Sequence, residues 1–131
     1  MIGTPNLIIY NPSAMIKGGI TELDLHESKK AINTTCFGSF LVAQEAVKRM
    51  LKRESGSIFF TGVTASIKGF ANSSVFSTGK FGLRGLAQSL SRELHPNNIH
   101  IGHFIIDGGI GKESNGLYEM INPDSIAKLY L

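Results

Sequence analysis

The sequence predicts an α/β domain built on a parallel, doubly wound sheet, and three observations carry that expectation. Short apolar runs alternate with long amphipathic ones, the apolar runs are unbroken, and turn residues sit at the junctions. A strand covered by helices on both faces reads as continuous apolarity, whereas a half-exposed strand alternates. The order strand–helix–strand–helix–strand then implies parallel pairing through crossover helices.

The first strand is predicted over 7–10, Leu7-Ile8-Ile9-Tyr10, closing on the turn signal Asn11-Pro12. Asp24 and Glu27 have the spacing of a capping box, with Asp24 as N-cap. They open a helix predicted over 25–52, whose inward stripe is Ile32, Cys36, Phe40, Ala43, Val47 and Met50. Gly56 is expected to stop it in the left-handed conformation. The second strand is predicted over 58–61, before Gly62. A helix over 75–94 follows, with Leu83, Leu86, Leu90 and Leu94 as its stripe and Pro96 beyond its end. The third strand, 99–106, stops at Asp107-Gly108-Gly109. Asn122-Pro123 reads as an N-cap followed by proline at the first position of a last helix. The glycine-rich loop from Asp107 to Gly116 is expected to be mobile.

Composition excludes several classes. Hydrophobic residues make up 42% and charged residues 18% of the 131, a globular balance. The net charge of +3 is too small, and too concentrated at Lys48, Arg49, Lys52 and Arg53 on one helix end, to mark a nucleic-acid surface. A single cysteine, Cys36, allows no internal disulfide and no thiolate cluster, which fits a reducing compartment. No segment is apolar enough to span a membrane and the opening residues lack a signal-peptide pattern, so a cytoplasmic protein is expected. The histidines suggest no metal site: His100 and His103 have opposite parity on one strand and face opposite sides.

Sheets of this kind bind ligands beyond the carboxyl ends of their strands. Asn11-Pro12-Ser13, Gly62-Val63-Thr64 and Asp107-Gly108-Gly109 are therefore expected to converge there. At the start of the second long helix lies Phe76-Ser77-Thr78-Gly79-Lys80. Residues four apart share a helix face, so Phe76 and Lys80 are expected to point the same way.

That pair resembles the Tyr-x-x-x-Lys motif of the short-chain dehydrogenase/reductase family, with Phe76 at the tyrosine position. Gly56-Ser57-Ile58 resembles that family's fifth strand, and the run Gly79 to Leu94 its active-site helix. Leu7 to Ser13 resembles the strand ending in Asn-Asn-Ala-Gly, and Ile105 to Ile110 the Pro-Gly segment after the sixth strand. The resemblance implies a Rossmann-like fold, binding of NAD or NADP, hydride transfer involving a carbonyl or alcohol of a small-molecule substrate, and homo-oligomers formed through the two long helices.

Carried over residue by residue, the resemblance is uneven. Lys80 matches outright and would hold the nicotinamide ribose. Asn11 would lie beside the adenosine half of the cofactor, although Pro12 and Ser13 replace the usual Ala-Gly. Gly108 and Ile110 match the segment that touches the carboxamide, although Asp107 stands where the family has proline. Phe76 has no ionisable proton, and general acid–base catalysis is worth about 10²–10⁴-fold. The serine position falls on Val63, with Thr64 as the substitute if the loop register differs by one. The family's helix asparagine falls on Thr35, with Asn33 as the alternative.

The family's glycine-rich phosphate loop belongs to an earlier strand–helix unit, so residues 1–131 are expected to form a partial domain lacking the N-terminal dinucleotide-binding half. Gly79, Gly82 and Gly85 lie inside a helix and read as packing or flexibility glycines. Two functional readings follow: an NAD(P)-dependent oxidoreductase with an atypical set of catalytic positions, or a catalytically inactive, dimerising or ligand-binding relative or gene remnant.

Overall fold

A computed structural model describes residues 3–112 and 120–131. The chain forms β1 (Leu7–Tyr10), α1 (Leu25–Ile32), a π-helical turn (Asn33–Phe37), α2 (Gly38–Met50), β2 (Gly56–Val63), α3 (Ser74–Leu94), β3 (Ile99–Ile106), β4 (Gly109–Ile110), β5 (Met120–Ile121) and α4 (Pro123–Lys128). The main sheet has the order β1-β2-β3, with Tyr10 opposite Phe60 and Val63 opposite Ile106, and both pairings are parallel. The expected α/β architecture with parallel strands and long crossover helices is therefore present.

Side chains alternate across a strand, and one set faces the long helices. Tyr10, Ile58, Phe60, Ile99 and Ile101 pack there against Ala43, Ala46 and Met50 of α2 and Leu83, Ala87 and Leu94 of α3. Burying a residue such as Phe60 completely contributes about 1.5–3 kcal/mol, so this layer fixes the strand tips relative to both helices. The predicted caps are present: Asp24 accepts a 2.8 Å hydrogen bond from the Glu27 amide, and the Asn122 side chain accepts one from the Asp124 amide.

The structure corrects several expectations. The first long helix is interrupted by the π turn, which adds a residue to one turn and shifts the inward face. Ala31, Thr35, Ser39, Ala43, Ala46 and Met50 are buried, while Phe40, expected in the core, is 44% exposed. The hydroxyl of Tyr10 donates to the Thr34 carbonyl within this turn, where helical bonding leaves carbonyls without their usual partners. Glu54, at φ 50°, supplies the left-handed end of the helix, not Gly56. β2 extends to Gly56–Val63, longer than expected. Gly79 packs against Thr35 and Gly82 against Cys36, while Gly85 has open space beside it.

Unbroken apolarity was expected to mean strands covered on both faces, and β1 departs from this: Leu7 is 37% and Ile9 46% exposed. The second face is covered over β2 and β3 by the end of the chain, where Tyr130 stacks on Phe104 at 4.2 Å and meets Thr61 Oγ1 at 2.6 Å. Part of the expected mobile loop is instead ordered, with Gly109 and Ile110 pairing with Met120 and Ile121. Residues 113–116 of that loop lie outside the described residues. No helix among the described residues is long and apolar enough to cross a membrane.

Candidate functional site at the strand tips

Three layers of sequence meet at the carboxyl ends of β2 and β3. β2 runs out at Val63 into a short turn, Thr64–Ser66, which packs against α3. The first turns of α3 carry Phe76 and Lys80, both buried, with the Lys80 ammonium 5.9 Å from the Phe76 ring centroid. The two side chains do share one face, as their spacing requires. Lys80 is only 1% exposed and donates a 3.1 Å hydrogen bond to the Thr61 carbonyl. An ammonium has three donors, and no carboxylate among the described residues pairs with this one. Burial holds its pKa below the ordinary lysine value.

Thr35 is also buried, with the site where a Gly79 Cβ would lie 3.0 Å from its own Cβ. Any side chain at position 79 would push the π turn away from α3. The Thr35 hydroxyl accepts a 3.2 Å bond from the Ala14 amide, tying the loop after β1 to the same place. Asn33, the alternative for this position, is exposed. Val63 offers no hydroxyl, and its amide donates to Ser66 Oγ at 3.0 Å. The Thr64 hydroxyl, by contrast, reaches across to Asp107 Oδ1 at 2.5 Å.

The remaining expected positions are split between surfaces. Asn11 and Ile110 line one cavity of about 470 Å³ on the second face, together with Ile9, Thr61, Ile106 and Tyr130. Thr61 links that cavity to Lys80, since its hydroxyl faces the cavity while its carbonyl receives the ammonium. Gly108 is exposed at φ 154°, beside the Ile121 side chain.

Ser66, which sequence reasoning passed over, and His103 also lie here. Ser66 is fully buried under the Val63 amide. His103 faces α3, with Nε2 buried and unpartnered against Gly62. Burial, aided by the positive charges of Arg84 and Lys80, lowers its pKa and so favours the neutral imidazole. His100 lies on the other face against Phe59, as strand parity predicted. No cluster of metal-ligating side chains occurs among the described residues.

Residues 2–112 match the short chain dehydrogenase family. The chain belongs to that family. Among its relatives is trans-4-hydroxycyclohexanecarboxylate dehydrogenase of Sinomonas cyclohexanicum, 29% identical over 99 residues, or 76% of this chain and 38% of that protein. A short-chain dehydrogenase structure from Rhodopseudomonas palustris superimposes with a TM-score of 0.74 at 39% identity, covering 76% of this chain and 47% of that one. A tyrosine-to-phenylalanine variant of ElxO with NADPH bound superimposes with a TM-score of 0.77 at 25% identity, covering 82% of this chain and 44% of that one. The chain thus spans less than half the length of these relatives, and what it shares with them includes the parallel strands and the long helices of this dehydrogenase-family fold.

Proposed function

We propose that these residues form the nicotinamide-side half of an NAD(P)-dependent dehydrogenase or reductase site acting on a carbonyl or alcohol. Lys80 holds the nicotinamide ribose, Thr64 holds the substrate oxygen, and Asn11, Gly108 and Ile110 line the cofactor's path. The observation that carries this reading is the buried ammonium of Lys80, which has a single carbonyl partner and no counter-ion among the described residues. Burying an uncompensated cation costs several kcal/mol, and such a cost at the tips of parallel strands marks a site kept for a ligand rather than for stability. A vicinal pair of ribose hydroxyls supplies the oxygen acceptors that the other two N–H groups need. When bound, the cofactor would supply the hydride chemistry; the chain's part is to orient it and to handle the proton.

Phe76 favours a second reading, a relative that holds cofactor without turning over. The NADPH-bound phenylalanine variant of ElxO supports at least the holding step, because a tyrosine-to-phenylalanine change in that relative is compatible with a bound nucleotide. The same proposal takes the α2–α3 face as a homodimer contact. Phe40, Val47, Leu51, Leu86 and Leu90 line an apolar groove of about 240 Å³ there.

The chain has no tryptophan, so NADH and NADPH fluorescence can be titrated without energy transfer from indole. Saturable enhancement with at least one of the two is expected. Lys80→Ala should weaken it by about 10- to 100-fold, the worth of a hydrogen bond to a charged group. No saturable binding, or equal binding by the variant, would defeat the proposal.

A further inference from the structure

The hydrogen bond from Thr64 Oγ1 to Asp107 Oδ1 joins two residues 43 apart in sequence, one step beyond the last paired residues of β2 and β3, Val63 and Ile106. The sheet does not need it. The ladder is complete without it, and polar partners this near the surface contribute only about 0–1 kcal/mol. What the contact does achieve is chemical. It places a carboxylate behind the Thr64 hydroxyl, whereas the neighbouring Ser66 hydroxyl caps the Val63 amide, Thr35 holds the Ala14 amide and Thr61 meets Tyr130. Lys80 lies close by: its ammonium is bonded to the carbonyl of Thr61, and Thr64 follows three positions later in the chain, at most about 10 Å away.

A hydroxyl hydrogen-bonded to a carboxylate can pass on a proton that an isolated hydroxyl cannot, because the carboxylate receives it. Phe76 can neither give nor take one. We propose that Asp107 is the proton acceptor of this site, acting through the Thr64 hydroxyl and taking over the task for which Phe76 has no group. This rests on the reading of the site given above. In the oxidative direction the substrate alcohol's proton moves to Thr64 Oγ1 as that hydroxyl's own proton moves to Asp107 Oδ1. The carbinol C–H bond breaks with its electron pair leaving as hydride to an oxidised nicotinamide dinucleotide, and the C=O bond forms. Reduction is the reverse and starts from protonated Asp107.

The test uses the full chain with NAD⁺ or NADP⁺ and simple secondary alcohols, propan-2-ol and cyclohexanol, as probes. Asp107→Asn and Thr64→Val should each lower kcat for oxidation by about 100-fold or more while cofactor affinity stays within the wild-type range. Thr64→Ser, which keeps the hydroxyl, should retain most of the wild-type turnover. A readout independent of turnover is the carbon-13 shift of the Asp107 carboxyl, which should move in Thr64→Val because the hydroxyl that donates to it is lost. Unchanged turnover in Asp107→Asn would overturn the proposal. So would a Thr64→Ser variant as impaired as Thr64→Val, a parallel loss of cofactor affinity, absence of any oxidation by cofactor-loaded wild type, or an Asp107 carboxyl shift indifferent to Thr64→Val. If wild type binds no cofactor, the reading of the site fails instead, and the carboxyl carbon-13 shift still decides whether the two side chains are bonded.

Discussion

Replacing Phe40 and Leu90 together by glutamate should abolish the proposed homodimer. Phe40 is 44% exposed on α2 and stacks on Phe37, while Phe81 on α3 is 45% exposed. Leu86 and Leu90, which sequence periodicity assigned wholly to the core, are only partly covered and line the groove between the helices. A face in which so many large apolar side chains reach solvent exceeds what scattered surface hydrophobics explain. Two parallel helices that expose such a face have a self-complementary solution in a twofold pairing. A glutamate at the centre of the contact would be buried without a partner, at about 3 kcal/mol, so each substitution should weaken association on the order of 100-fold. Light scattering across a concentration series reads this directly. A wild-type protein that remains monomeric at every concentration, or a double variant that still pairs, would contradict it.

Lys80→Met should make the protein more stable and less able to bind cofactor. Methionine nearly matches lysine in volume and removes the desolvation cost of a buried ammonium, while the Thr61 carbonyl loses its partner. The net gain should be about 1–2 kcal/mol at neutral pH, in line with other buried charges replaced by apolar groups. The pH dependence gives the sign. Because the folded-state pKa of Lys80 lies below its ordinary value of 10.5, the unfolded chain binds more protons between those two values. Wild-type stability contributed by this group therefore rises with pH across that window, and the penalty is fully present below it. The advantage of the methionine variant should thus be largest near neutral pH and shrink as pH approaches 10.5. Urea unfolding of both proteins across that range measures it. A variant less stable than wild type at neutral pH, or an advantage that grows with pH, would show that the ammonium is not buried at a cost.

Local patterns made much of this architecture legible. The strands announced themselves by unbroken apolarity, the caps at Asp24 and Asn122 by side-chain type and spacing, and the shared face of Phe76 and Lys80 by helical geometry alone. What stayed hidden depends on contacts between distant residues or on small changes of helical pitch. The π turn at Asn33–Phe37 has no spacing signature, and the phenol that meets its carbonyl comes from Tyr10, 24 residues earlier. Three- and four-residue periodicity therefore assigned Phe40 to the core when the extra residue rotates it outward. The Thr64–Asp107 bond and the Tyr130–Thr61 contact span 43 and 69 residues. Asp107 stood out only as a departure from a family proline, which gave no hint of a hydroxyl partner. The exposure of Leu7 and Ile9 shows a different limit: apolarity records what a strand can be covered by, not what covers it.

The central claim, that the Lys80 ammonium at the strand tips holds the nicotinamide side of the cofactor, is most directly tested by NMR on protein carrying carbon-13 at lysine Cε. The Lys80 resonance, identified by its absence in Lys80→Met, should shift on addition of NADH or NADPH and also on addition of reduced nicotinamide mononucleotide, which has the nicotinamide ribose but no adenosine. Saturating dinucleotide that leaves this resonance in place, or a shift produced by adenosine diphosphate ribose but not by the mononucleotide, would contradict the assignment.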